Sequence, residues 1–161
     1  MDFQPQAHDL DLDDVETALL RAAVGDYTAE AAILLLANFG HWLPQLRAAD
    51  LIGIEDDPAT GDRWAQIQWA DIPAALAEGR IYGSSGELRI LRAAASLADD
   101  QPANLGDLAS GLDRRGLTLL LAAIAHAGGS HEHREEITDP DRGITYLGDT
   151  VAPLMAWPPR D

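Results

Sequence analysis

The sequence predicts an α+β fold, mainly α, in which a helical core carries two small β-hairpins. Three observations predict it. Ser84 to Gly129 reads as three helical segments in a row, the first opened by Ser84-Ser85-Gly86-Glu87. There a serine followed three residues later by a glutamate forms a capping box that satisfies the orphan amides of a helix start. Ile33-Leu34-Leu35-Leu36 lies in a segment apolar around its whole circumference and too short to span a bilayer, which marks a buried helix. Finally, two loops dense in turn formers, residues 56–62 and 139–143, are each flanked by short strand-like runs.

Taken in order, residues 1–9 read as a loose acidic tail. Asp9 to Asp14 then load negative charge onto a helix start, where the macrodipole favours it. Leu12, Val15, Leu19 and Ala22 form the apolar stripe of that helix, and Gly25 stops it. Thr28 is read as the cap of a second helix running to Phe39, ended by Gly40. His41-Trp42-Leu43-Pro44 starts a short connection toward Asp50. In the first hairpin, Ala65, Ile67 and Trp69 alternate with Gln66 and Gln68, the period of a half-buried strand. Asp71 starts a short helix with Pro73 in its first turn and Gly79 beyond its end.

The helix from about 85 to Ala98 confines Arg89, Arg92 and Ser96 to one strip, so it is expected to be central. Asn104 and Asp113 cap the next two helices, Leu105 to Ser110 and 114–126. Residues 135–138 and 144–147 form the second hairpin. The tail from Val151 is ordered only if Leu154 and Trp157 dock. Residues 1–82 and 83–161 are read as two halves of one compact unit.

Charge bounds the function. The 161 residues carry 27 acids against 11 basic residues, all arginine, for a net charge of −16. Residues 1–62 hold 13 acids and two arginines, and residues 63–161 hold 14 acids and nine arginines. Such a field repels phosphate backbones and anionic lipid surfaces. There is no cysteine, so disulfides and thiolate metal sites are excluded. No apolar run is long enough for a membrane span, and the acidic start lacks the basic and apolar regions of a signal peptide. The expected location is the cytoplasm.

Helix, short helix, helix, then hairpin is the order of a winged-helix unit. Leu88-Arg89-Ile90-Leu91, Leu105-Gly106-Asp107-Leu108-Ala109 and Asp139-Pro140-Asp141-Arg142 make residues 84–149 resemble winged-helix domains of bacterial repressors. A second resemblance covers residues 28–129. Gly83-Ser84-Ser85-Gly86-Glu87-Leu88-Arg89-Ile90-Leu91-Arg92, Gly111-Leu112-Asp113-Arg114-Arg115 and Ala125-His126-Ala127-Gly128 are similar to a family of uncharacterised actinobacterial proteins. That family has no known activity to carry over.

The winged-helix likeness implies a recognition helix at 114–126. With Leu117, Leu120, Leu121 and Ile124 as its core stripe, Arg115, Leu119, Ala122 and His126 would face the groove. Base edges are read by side chains with bidentate reach, and this face is aliphatic apart from one arginine and one histidine. The apolar outer face of Leu119 and Ala122, flanked by Arg114 and Arg115, is therefore read as an interaction surface toward the N-terminal half or another subunit.

His126, His131 and His133, with Glu132, Glu135 and Glu136 nearby, offer ligands that zinc or nickel accepts. Their spacing matches no standard site, so a solvated polar loop is the favoured reading, and no cofactor is assigned. His41 is read as a helix-end residue. Gly83-Ser84-Ser85-Gly86 lacks the spacing of a hydrolase nucleophile turn, and residues 56–62 lack the ligand pattern of a calcium loop. No catalytic residue is identified.

The function expected is thus a non-catalytic acidic module for protein interaction or self-association. Three alternatives remain open. One is a winged-helix regulator binding nucleic acid through Arg89, Arg92, Arg114, Arg115, Arg134 and Arg142. The others are an acidic mimic of DNA and a metal-dependent enzyme using the histidines.

Overall fold

The computed structural model describes residues 4–160, and its fold is α+β with seven α-helices and two two-stranded antiparallel sheets among them. In chain order these are α1 (Leu12–Ala23), α2 (Tyr27–Phe39), α3 (Trp42–Ala48), β1 (Ile52–Asp56), β2 (Arg63–Ile67), α4 (Ile72–Ala77), α5 (Ser85–Asp99), α6 (Leu105–Gly111), α7 (Arg114–Ala127), β3 (Arg134–Asp139) and β4 (Ile144–Thr150). Among the described residues no helix is long and apolar enough to cross a membrane.

The helix starts follow local chemistry. Ser84 Oγ accepts from the Glu87 amide at 3.2 Å while Glu87 accepts from the Ser84 amide at 2.7 Å, so the capping box forms in both directions. Asn104 and Asp113 cap α6 and α7 through the amides of Asp107 and Gly116. One cap is corrected. Asp26, not Thr28, accepts from the Ala29 amide, and Thr28 donates its hydroxyl to Asp26. The carboxylate precedes the first turn, where it reaches the orphan amide, and the threonine already lies inside the helix.

The centre of the fold is α2. It packs on α1, α3, α5 and α7, with Ala31, Ala32, Ile33, Leu35 and Leu36 buried. The helix expected to be central, α5, buries Ile90, Leu91 and Ala93 to Ala95, but Leu88, Leu97 and Ala98 are only half-buried. Its apolar breadth is spent on one broad contact with α2 and smaller ones with α6 and α7. One hydrophobic cluster runs from Val15 and Leu36 through Trp42 and Ile67 to Leu91 and Leu119, drawing on both halves of the chain.

The first hairpin pairs Ile52 with Ile67 and Ile54 with Ala65. Ala65 and Ile67 are buried and Gln66 is exposed, and β2 packs on α1. Trp69 leaves the strand in a 3-10 turn. The second hairpin, pairing Ile137 with Tyr146, is exposed along most of both strands and joins no larger sheet.

The described part of residues 1–9 departs from the expected loose tail, and of the two C-terminal residues on which order was to depend only Trp157 docks. Ala7 is buried in a short 3-10 turn, with Arg47 donating to its carbonyl at 3.4 Å and His8 bonded to Asp50 at 2.8 Å. Residues 1–3 of that predicted tail lie outside the described residues. At the other end Leu154 is exposed, whereas Trp157 is half-buried against the core. Arg160 forms a two-pronged ion pair with Glu16, at 2.6 and 3.0 Å, and bonds the Asn38 side chain. The tail is a strap across α1 and α2.

Arg89 of α5 holds both carboxylate oxygens of Asp107 on α6 at 3.1 Å. That guanidinium lowers the Asp107 carboxyl below its ordinary 3.8. Because the folded value is depressed, the ion pair contributes stability in full above the ordinary value and loses it as pH falls through the folded one. Asp107→Asn should therefore melt below the wild type at neutral pH, and the gap should close as pH drops below 3.8. A pH series of thermal melts checks this.

Candidate functional site

The candidate site is built where the start of α2 meets the end of α7. Three residues, Tyr27 and Glu30 from the first turn of α2 and His126 from the last turn of α7, are brought together by the α2–α7 contact. A left-handed Gly129, φ 74°, turns the chain after α7 into the 3-10 turn Ser130–Glu132 and returns His131 over His126. Glycine is needed here twice over. The backbone conformation favours it, and a Cβ would stand 3.2 Å from the Tyr27 ring.

The geometry is close-packed. His126 Nε2 lies 3.0 Å from Glu30 Oε1, and the His126 and Glu30 side chains are 12% and 21% exposed. The His126 and His131 rings stack with centroids 3.9 Å apart and planes 11° from parallel. Tyr27 presents an edge contact to His131 at 4.9 Å, and Trp157 of the strap lies 6.2 Å from His126. One ligand atom each from Glu30, His126 and His131 lie within 4.8 Å of one another. His131 Nδ1 and Trp157 Nε1 are buried with no hydrogen-bond partner among the described residues.

This overturns the solvated-loop expectation for two of the three histidines. His126 and His131 are packed under aromatic neighbours, and only His133 is exposed. Glu132, Glu135 and Glu136 are exposed and take no part in the cluster. The carboxylate that joins it, Glu30, stands 96 residues from His126. No local pattern flags Glu30, because an acid in a first helical turn is explained by the helix dipole alone.

Of the two neighbours expected for the Leu119 and Ala122 face, the structure shows the N-terminal half, through α2, so this face is not free for another subunit. Leu119 and Ala122 are buried within the chain, while Leu121 and Ile124, expected in the core, are each 46% exposed. The face of α7 read as groove-facing is the face covered by α2. Arg115, on that face, donates to the carbonyls of Asn38 and Phe39 at 3.1 and 3.3 Å and lies over the Phe39 ring. It closes the C-terminal end of α2, whose last carbonyls have no helical partner. Arg114 is exposed at the edge of a cleft of about 410 Å³ shared with Asn38, Pro158 and Pro159.

Other candidates serve structure. His41 Nδ1 lies 2.9 Å from Glu87, and its Nε2 lies 2.9 Å from the Tyr82 carbonyl, fastening α3 to the start of α5. Arg134 donates to the Gly148 carbonyl, and Asp56 pairs with Arg63 across the first hairpin. A groove of about 460 Å³ between α1, α2 and β2 is lined by Ala22, Ile33, Gln66 and Trp69. Its Asp26 is lowered by bonds from Thr28 and Ala29, which are capping bonds. Comparison with protein-family models, curated proteins and solved structures finds no match to this chain.

Proposed function

We propose that the protein is a non-catalytic interaction module that offers the β3–β4 hairpin to a protein partner. The observation that carries this reading is the exposure of large apolar side chains along β4, with Ile144 at 50%, Tyr146 at 51% and Leu147 at 57%. Val151 and Leu154 extend the apolar surface beyond the strand. A two-stranded hairpin standing alone is marginal in water, and a cluster of exposed apolar groups marks a contact surface.

On the same hairpin, exposed Glu135, Glu136, Asp141 and Asp149 outnumber exposed Arg134 and Arg142. The complementary partner is a protein surface with an apolar centre and a basic rim. Electrostatic steering then favours that partner over a second copy of this acidic chain. The packing of the groove-facing side of α7 on α2 supports the same choice over nucleic acid, as does the net charge of −16.

The test is photo-crosslinking in cells from a reactive side chain at Tyr146, with the same group at Glu55 of the first hairpin as control. One protein adduct specific to position 146, lost with Ile144→Glu and Leu147→Glu while the melting temperature holds, is expected. No adduct above the control, or an adduct to nucleic acid, overturns the reading.

A further inference from the structure

We infer that Glu30, His126 and His131 form a binding site for a divalent transition-metal ion of the zinc class. Two imidazoles and one carboxylate are a donor set that zinc accepts, and three protein ligands leave a coordination position for water. The site does not depend on the hairpin reading.

Distance supports it first. Glu30 Oε1 and His126 Nε2 are 3.0 Å apart. Two ligands across a tetrahedral ion with bonds of about 2.0–2.1 Å are separated by about 3.3 Å, so an ion replaces this hydrogen bond with little movement of either side chain. The third ligand atom is already within 4.8 Å.

The unsatisfied nitrogen is the second support. His131 is placed by a left-handed glycine and an aromatic edge, yet its Nδ1 is buried without a hydrogen-bond partner among the described residues. Buried polar atoms are nearly always satisfied, and an ion or a water is what commonly completes those that the protein leaves open. A ring held only for packing would be served as well by a phenylalanine.

The stack itself states what binding must do. Parallel imidazoles direct their in-plane lone pairs side by side, so they cannot both point at one ion. One ring must swing out of the stack, and the torsion that turns an imidazole is soft. His131 is the ring to move, since His126 is held in the last turn of α7 and His131 lies outside that helix, two residues beyond Gly129. Because β3 begins three residues after His131, the ion would also tie the root of the hairpin to α2.

The experiment uses the untagged full chain, stripped with a chelator and titrated with zinc against a chromophoric competitor. Cobalt in place of zinc supplies a visible ligand-field spectrum. One equivalent per chain is expected, with a cobalt spectrum of low coordination number and a rise in melting temperature on saturation. Glu30→Gln keeps the shape of the site. With His131→Ala, it should weaken binding by at least about 100-fold, the upper end of what losing a mere supporting residue costs. His133→Ala should bind as the wild type does.

Circular dichroism establishes that each variant is folded before it is titrated. Absence of saturable uptake by the wild type overturns the inference. Uptake unchanged in both Glu30→Gln and His131→Ala, or uptake lost in His133→Ala, overturns it equally.

Discussion

Leu119→Glu is expected to destabilise the protein by about 3–5 kcal/mol or more, the range in which a buried charge is left without a partner. Leu119 is 2% exposed and belongs to the core cluster at the α2–α7 contact. A carboxylate there is buried one turn from Arg115, whose guanidinium already donates to the Asn38 and Phe39 carbonyls, so it must be protonated, take that guanidinium from the end of α2 or drag α7 off α2. Typical domains are stable by about 5–15 kcal/mol, so much of the fold's margin would be consumed. The comparison that makes the result specific is Leu121→Glu, two residues on and 46% exposed, which should stay within about 0.5 kcal/mol of the wild type. Urea unfolding of both variants measures the difference. The reverse order would mean that α7 carries Leu121 inward, as its sequence alone suggests.

Trp42→Ala should cost a similar amount, about 3–5 kcal/mol, the usual range for emptying a buried aromatic site. Trp42 is fully buried, and its Nε1 donates to the Glu87 carbonyl at 2.8 Å. That bond crosses from α3 to the first turn of α5, so the indole joins the two halves of the chain. The fit is tight enough that a Cβ on Gly83 would come within 2.9 Å of the ring. Trp42→Phe keeps an aromatic ring but loses the donor, and should recover more than half of the stability lost in Trp42→Ala. Denaturation midpoints at equal slope check the pair. Equal losses in the two variants would show that the hydrogen bond, rather than the packed volume, carries the effect.

These two results bear on the proposed function through the same geometry. If α7 is turned with Leu119 inward, its aliphatic face is spent on the chain's own core and cannot also meet a partner. Leu121 and Ile124 stay exposed on the outer side of α7, but the longer exposed apolar run is that of β4 and the segment after it, with Ile144, Tyr146, Leu147, Val151 and Leu154. The metal inference depends on the same turn of α7. It is what places His126 against Glu30 rather than in solvent.

What the sequence determined by itself were features whose causes lie within a few residues. Ser84 and Glu87 cap each other across one turn, and Asn104 and Asp113 reach amides three residues on. Gly40 and Gly79 end helices in left-handed conformations, and the turn-rich loops close both hairpins. Each depends on local bonding geometry, so a residue pattern suffices to state it. Tertiary structure decided the rest. A helix with apolar residues on two faces, as in α7, has no preferred inward side of its own, because hydrophobic burial is non-directional and rewards either face equally. Only the shape of α2 selects Leu119 and Ala122 over Leu121 and Ile124. The same selection assigns Arg115 to the carbonyls of α2, 76 and 77 residues away. It also joins Glu30 to His126 and His131, which no spacing along the chain relates to one another.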